Sequence, residues 1–436
     1  EFVDSCRAYG IKPGIFLSEG DFHSFNLGNS TTYYMNQLKE ICSNYGSIGE
    51  IMWGWGPNVQ NIDSAAFVAF ADTVHKLQPE CIIWSDAKAR NVTADARWIG
   101  NEGGISGDPC WATENMGFTN LGNGIPGGSV YAPAEVSSSI RPGWFWHADQ
   151  NNSVQTVEVL WNKYFQSVGR NATWSLNLPP DNRGLICATD SMRVDSLNYL
   201  IYGTFRTNLA LGATVTTKHP RGAGYEPGNL VDTAEATYYA TPDNINTDTI
   251  VFDLGGPKTF DVLMLREVIE LGHRTTAWSI DYSSDNTAYT SLDTGKQSIG
   301  YKWLEKFDPV TARYVRLKIT NGQACVALNT FGVFKKQMIR PSDPTGAVAP
   351  AVGYVAAPSV SIPVFGRSVQ LPQSFAGKPF TAELLDLHGR TLAVTRVDAK
   401  QTLTGPRTLA TAAHCGLYLV KCTGESGVAV RTIMAR

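Results

Sequence analysis

In the first 190 residues, short apolar runs alternate with stretches of helical periodicity, and this alternation restricts the fold more than any other feature. IKPGIFL (11–17) is apolar and follows a stretch that reads as a helix ending near Gly10. Ser30 or Thr31 can cap the next helix, in which Tyr34, Leu38, Ile41, Cys42 and Tyr45 fall at helical spacing before Gly46 stops it. EIMWG (50–54) reads as a strand. Asp63 or Ser64 then opens a helix that turns Phe67, Phe70, Ala71, Val74 and Leu77 inward, and Pro79 ends it. CIIWS (81–85), ARWIG (96–100) and GWFWH (143–147) read as further strands. Repeated βα units predict a parallel sheet with helices outside it. Its closed form, a TIM-type (β/α) barrel, typically takes about 250 residues. The first 190 residues hold five or six strands, which predicts a barrel whose N-terminal strands are missing. The opening EFVDSCRAYG reads as the middle of a helix, so the sequence is expected to be a piece of a longer chain.

A helical connection over 191–207 separates this part from a different pattern. From 208 to 337 short strands alternate with turns, which predicts an all-β sandwich or jelly roll. Residues 338–366 hold five prolines and no charge after Asp343, the composition of a linker. From 367 to 436 the β pattern resumes, closing on GLYLVKCTGESGVAVRTIMAR, which reads as a hairpin of a small β module. The formal charge is −3, with no long basic run, which argues against a nucleic-acid partner. No run of 18 apolar residues predicts a membrane span. Cys415 and Cys422 bracket a strand, about 23 Å when extended, too far for a disulfide. The seven histidines are scattered, and no phosphate loop, dinucleotide fingerprint or zinc motif is present, so no catalytic cofactor is expected. Eleven Trp, 17 Tyr and 18 Phe on a weakly charged chain suit a carbohydrate-active protein, where flat rings cover sugar faces.

In a parallel barrel, reactive groups sit where strands end and βα loops begin. There the sequence places Ser18, Glu19 and Asp21, then Asp86, then Asn101 and Glu102, then His147 and Asp149. Glycoside hydrolysis needs two carboxyl groups flanking the anomeric carbon, about 5 Å apart when configuration is retained. Glu102, in IGNEGG, follows a strand and is flanked by glycines, with Trp98 and Trp111 close in sequence. Such rings would lower the local dielectric and raise a carboxyl toward what a general acid needs. The plainer alternative is that Glu102 caps a loop or pairs with Arg97. Arg313 and Arg316, in RYVRLK, read as solvated charges.

Four segments, YYMNQLKEICSNYGSIGEIMW, ARWIGNEGG, YAPAEVSSSIRPGWFWH and WNKYFQSVGRNATWSLNLPPDNRGLI, together resemble the α-L-fucosidases of glycoside hydrolase family 29, most closely the branch acting on α-1,3/1,4-linked fucose. The resemblance runs over residues 1–205. It implies a retaining hydrolase that removes terminal α-linked L-fucose from oligosaccharides or glycoconjugates, with an Asp nucleophile after one barrel strand and a Glu acid/base after a later one. Glu102 matches the acid/base, and Glu135 is the reserve candidate or a residue that orders the site. Trp53, Trp98, Trp111, Trp144 and His147 would bind substrate. Two departures stand out. The family's nucleophile strand reads E-x-W-F-D-G, whereas this chain has Gly54 at the Asp position, and Glu50 lies about 13 Å away at the other end of the strand. The family's fucose-binding histidines belong to motifs upstream of residue 1. The departures leave open a degenerate glycan-binding protein, a nucleophile-to-glycine variant, and an enzyme whose nucleophile is Asp21 or Asp86.

The second domain resembles a discoidin, or coagulation factor five/eight type C, module through NLALGATVTTKH, NLVDTAEATYYAT, IVFDLGGPKTFDVLMLRE and ARYVRLKIT. The resemblance implies a structural calcium near Asp232 and Thr237, and a ligand end formed by His219, Arg221, Tyr225, Tyr239 and Arg274. The closing segment is similar to the sorting tails of secreted bacterial enzymes, which implies a secreted or cell-surface bacterial protein.

Overall fold

The computed structural model describes residues 1–19, 30–53, 62–85, 94–115 and 120–339, and strands between 360 and 435. Residues 1–349 form one compact unit and 350–436 a second.

The first unit begins with helix α1 (Phe2–Ala8), strand β1 (Gly14–Phe16), α2 (Ser30–Asn44), β2 (Glu50–Trp53), α3 (Ser64–Leu77), β3 (Ile82–Ser85) and β4 (Ala96–Trp98). A small antiparallel pair, β5 (Thr113–Glu114) and β6 (Val130–Tyr131), lies within the long excursion before β7 (Ala134–Ser139). Then come α4 (Val157–Gln166), β8 (Ala172–Asn177) and α5 (Ala188–Phe205). The six main strands pair in parallel in the order β1-β2-β3-β4-β7-β8. This is an incomplete (β/α) barrel. Asp63 caps α3, its side chain accepting from the Ala66 amide at 2.7 Å, and the helix ends at Leu77 ahead of Pro79.

Alternation along the strands sorts their side chains onto two faces. On the helix-covered face, Ile51, Trp53 and Ile83 pack with Tyr34, Leu38, Phe67, Phe70 and Val74 of α2 and α3 in a dry core. The register carries Glu50, Ile82, Trp84, Trp98, Glu135 and Thr173 together on the other face. GWFWH (143–147) is not a strand. Pro142 offers no amide donor, Gly143 takes a φ of +74°, and the segment bends away from the end of β7. The strand is AEVSSS instead, whose serines have little β-propensity. They hold their places through hydroxyls: Ser138 accepts from the Trp174 indole and Ser139 from the Asn177 amide, each at 3.0 Å.

The sandwich comprises β9 (Thr214–Thr217), β10 (Tyr239–Ala240), β11 (Asp248–Glu267), β12 (Thr275–Ser283), β13 (Thr290–Lys296), β14 (Trp303–Gly322) and β15 (Ala327–Phe334). The strands are antiparallel, and the long β11 and β14 carry register shifts that let them bend across the fold as a jelly roll requires. Its core contains Phe252 stacked on Phe331 at 3.5 Å and Trp278 edge-on to Trp303 at 6.0 Å. The sandwich is fastened to the barrel part. Asn171 accepts from the Tyr301 amide at 2.7 Å, and Val262, Leu304 and Phe334 join Leu160, Trp161, Leu197 and Leu200 in one buried cluster.

The second unit contains β16 (Val360–Val364) paired with β17 (Arg367–Leu371), and a five-stranded antiparallel sheet. That sheet is built from β18 (Phe380–Leu385), β19 (Thr391–Val397), β20 (Leu403–Thr404), β21 (Gly416–Gly424) and β22 (Gly427–Ala435). The first of these strands, Val360–Val364, lies inside the stretch read as linker. Among the described residues β16 pairs with β17 alone, and a strand with one unpaired edge can accept Pro363. The closing β21–β22 hairpin is as expected, and Cys422 within it is buried. Cys415 lies outside the described residues.

Candidate active site

The C-terminal ends of β4, β7 and β8 bring together residues far apart in sequence. Glu102 follows β4 on an exposed turn, and the Trp144 indole, on the bend after β7, donates to its Oε2 at 3.0 Å. The Trp144 carbonyl accepts from the side-chain amide of Asn177, the last residue of β8, at 2.9 Å. Beneath this bend Arg141 makes a fully buried two-pronged pair with Asp190 of α5, both contacts at 2.7 Å, and donates to Asn151 at 2.8 Å and to the His147 carbonyl at 3.4 Å. A buried, doubly bonded Arg–carboxylate pair is rigid. Asn177, Arg141 and Asp190 are not among the residues that the sequence pattern singles out. The signal was available only as the Arg in SIRPGWFWH and the Asn in SLNLPP, since nothing local says these positions meet.

The remaining expected site residues divide. His147 is exposed near this end. Trp98 is half-buried, edge-on to Trp84 at 6.4 Å on the open face of the sheet. Trp53 is not a lumen residue: strand alternation turns it into the helix-packed core, fully buried. Trp111 does not flank Glu102 with an open ring. It is 3% exposed and lies against His273 of the sandwich at 4.6 Å. Arg97 does not pair with Glu102 either. It is fully buried and donates to the carbonyls of Leu121 at 2.9 Å, Trp111 at 2.8 Å and Ala132, tying down the long β4–β7 excursion from below. Gly54, Asp21 and Asp86 lie outside the described residues.

Glu135, the reserve acid/base candidate, is the second residue of β7, paired in register with Trp98 of β4, and its carboxyl meets that of Glu50, the first residue of β2. Burial, and then the Glu50 charge, push Glu135 up to about 9, so it keeps its proton and shares it with Glu50. Glu50 is also raised by burial, with the Glu135 hydrogen bond opposing that rise. The pair lines a cavity of about 620 Å³ together with His75, Glu80, Asp95 and Tyr131.

In the sandwich, Arg221 and Arg274 converge on the Cys325 thiol at 3.8 and 3.1 Å, and Arg221 lies over the Tyr225 ring at 5.5 Å. His219 stands 3.6 Å from Asp248. Tyr239 is removed from the ligand end: it is fully buried in the core, and its hydroxyl donates to Asp248. Asp232 accepts from the Thr237 hydroxyl at 2.7 Å and from the Ala234 amide at 2.9 Å, and the same hydroxyl reaches the Ala234 carbonyl at 2.9 Å. Three oxygens thus converge, a donor type that suits calcium. Among the described residues no three His, Cys, Asp or Glu side chains gather as a metal centre.

An incomplete (β/α) barrel with a carboxylate at its C-terminal end, fastened to a jelly roll, defines a glycosidase-type architecture with an accessory sandwich. Residues 213–330 match the F5/8 type C domain. A protein of Bacteroides thetaiotaomicron assigned as an α-L-fucosidase is 41% identical, with a TM-score of 0.74 over 78% of this chain and 77% of that one. The Ruminococcus gnavus GH29 fucosidase E1_10125, solved in complex with fucose, is 29% identical with a TM-score of 0.68 over 77% of this chain and 74% of that one. Alpha-L-fucosidase 1 of Arabidopsis thaliana is 29% identical over 77% of this chain and 68% of its own length. The chain spans about two thirds of its plant relatives, 66% for the rice homologue. The chain belongs to glycoside hydrolase family 29, the α-L-fucosidases.

Proposed function

We propose that this chain carries part of the catalytic apparatus of a retaining α-L-fucosidase that removes terminal fucose from oligosaccharides, with Glu102 as acid/base. The observation that carries this reading is the Glu102 carboxylate beyond the end of β4, oriented by the Trp144 indole at 3.0 Å. In the first step the acid/base gives its proton to the glycosidic oxygen as that bond breaks and a nucleophilic carboxylate, outside the residues assigned here, bonds to the fucose anomeric carbon; in the second it takes a proton from the water that displaces that carboxylate. Substituting Glu102→Gln should lower kcat on a fucosylated trisaccharide by about 10²–10⁴-fold, and less on an aryl fucoside whose leaving group needs no proton. Equal turnover by the two proteins would remove Glu102 from this role.

A second reading, a glycan-binding protein without hydrolysis, is favoured by Gly54 at the family's nucleophile position. On that reading turnover of activated fucosides is very slow and rises with azide or formate, while calorimetry detects binding of fucose. We also propose a calcium ion held by Asp232, Thr237 and the Ala234 carbonyl as a structural element of the sandwich. Chelation should then lower the sandwich Tm, and Asp232→Ala should abolish the calcium dependence. Export of the protein from a bacterial cell is proposed from the C-terminal segment; retention of the chain inside cells with residues 367–436 intact would count against it.

A further inference from the structure

The bend after β7 presents one aromatic ring that the chemistry at Glu102 does not use. Phe145 follows Trp144 directly and is 78% exposed. An exposed phenylalanine by itself carries no message. This one stands on backbone fixed from both sides. Asn177 holds the carbonyl of Trp144, Arg141 holds that of His147, and Arg141 is itself locked by Asp190. The residue beside it donates to the Glu102 carboxylate. The ring is therefore displayed on a rigid support, one residue from the group that orients the acid/base, and covering it costs little further ordering.

The direction from which it would be covered follows from the reaction. An acid/base protonates the oxygen of the leaving group, so the leaving sugar lies on the acid/base side of the bond being cut. Sugar rings carry a face of C–H bonds, and an aromatic face with its negative quadrupole attracts such polarised hydrogens. We propose that Phe145 is a specificity-determining residue, a platform for the sugar to which the fucose is attached. The proposal rests on Glu102 being the acid/base. It assigns the ring to a neutral hexose or N-acetylhexosamine, and it makes Trp144 and Phe145 neighbours with separate tasks, one orienting the carboxylate and the other holding the leaving group.

The test uses the chain as it stands. N-acetyllactosamine, the leaving group of a trisaccharide fucosylated on its N-acetylglucosamine, is titrated by calorimetry and saturation-transfer NMR. Phe145→Ala should weaken its binding about tenfold, and Phe145→Trp should restore it. In parallel, kcat/KM for the trisaccharide is divided by kcat/KM for α-L-fucosyl fluoride, whose leaving group is too small to reach a platform. Phe145→Ala should lower this ratio about tenfold, and Phe145→Trp should recover it, with circular dichroism showing that each variant is folded. Undetectable disaccharide binding by the unaltered chain, equal binding by Phe145→Ala, or a ratio that does not move would each overturn the proposal. Binding that depends on Phe145 in a chain with no turnover would keep the platform and overturn the hydrolytic reading instead.

Discussion

In the sandwich, Phe252, Phe331, Trp278 and Trp303 are each at most 1% exposed, and strands from across the fold contribute to the one core that encloses them. In the parallel sheet of the first part, only one face achieves this. Ile51, Trp53 and Ile83 are equally dry beneath α2 and α3, but on the opposite face Ile82 is 49% exposed and Phe16 53%. Parallel sheets ordinarily have both faces covered. The comparison teaches that the two regions draw stability from different amounts of closure, and that the polar chemistry collects where closure is incomplete. The Glu50–Glu135 pair and the Trp84–Trp98 contact both lie on the open face, while the sandwich keeps Glu267, one of its buried carboxylates, surrounded by donors from Arg274, Thr275 and Gly300.

If that contrast is right, the largest effect should come from emptying the closed core. Phe252→Ala should destabilise the sandwich by about 3–5 kcal/mol, read from denaturant unfolding; a loss below 1 kcal/mol would mean the core is looser than the Phe252–Phe331 stacking indicates. Next comes the open face, through pH. Glu135 is raised in the folded state, so its stabilising contribution is complete below the ordinary carboxylate range near 4.5 and is lost as pH rises toward about 9. Glu135→Gln keeps the hydrogen bond to Glu50 without the titration. It should flatten the stability–pH curve between those limits and raise stability at pH 8 above that of the unaltered chain. An unchanged slope would show that the two carboxyls do not share a proton. The smallest effect is expected at Phe16, where Phe16→Ala on the open face should cost less than about 1 kcal/mol in the same unfolding measurement. A loss as large as that of Phe252→Ala would show that something covers this face in solution.

Much of this architecture could be read from residues alone. Helical spacing placed α2 and α3, and the Asp63 cap with Pro79 bounded the second of them, because capping and backbone restriction act within a few residues. The change of pattern after the 191–207 connection separated barrel from sandwich for the same local reason. β7 is hidden in the sequence because its serines resemble a loop, and GWFWH reads as a strand because its apolar residues outweigh Pro142 and Gly143. Glu102 was legible as a candidate from its place after ARWIG. Its partner was not. Trp144 is 42 residues away and meets Glu102 only because β4 and β7 are adjacent in the sheet.

The sequence by itself determined which segments are strands or helices wherever propensity and pattern agree, and which family's motifs they carry. These are properties of neighbouring residues and survive in any arrangement of the chain. Tertiary structure alone decided which face each strand residue occupies and which distant side chains meet. Trp53 entered the core, Trp111 met His273, Arg97 turned to three carbonyls, and Glu135 found Glu50. A parallel pairing shifted by one residue would exchange the two faces of a strand while leaving its sequence untouched. Register is set by the whole sheet packing on its helices, so the identity of the groups facing a substrate follows from that packing and not from any local run of residues.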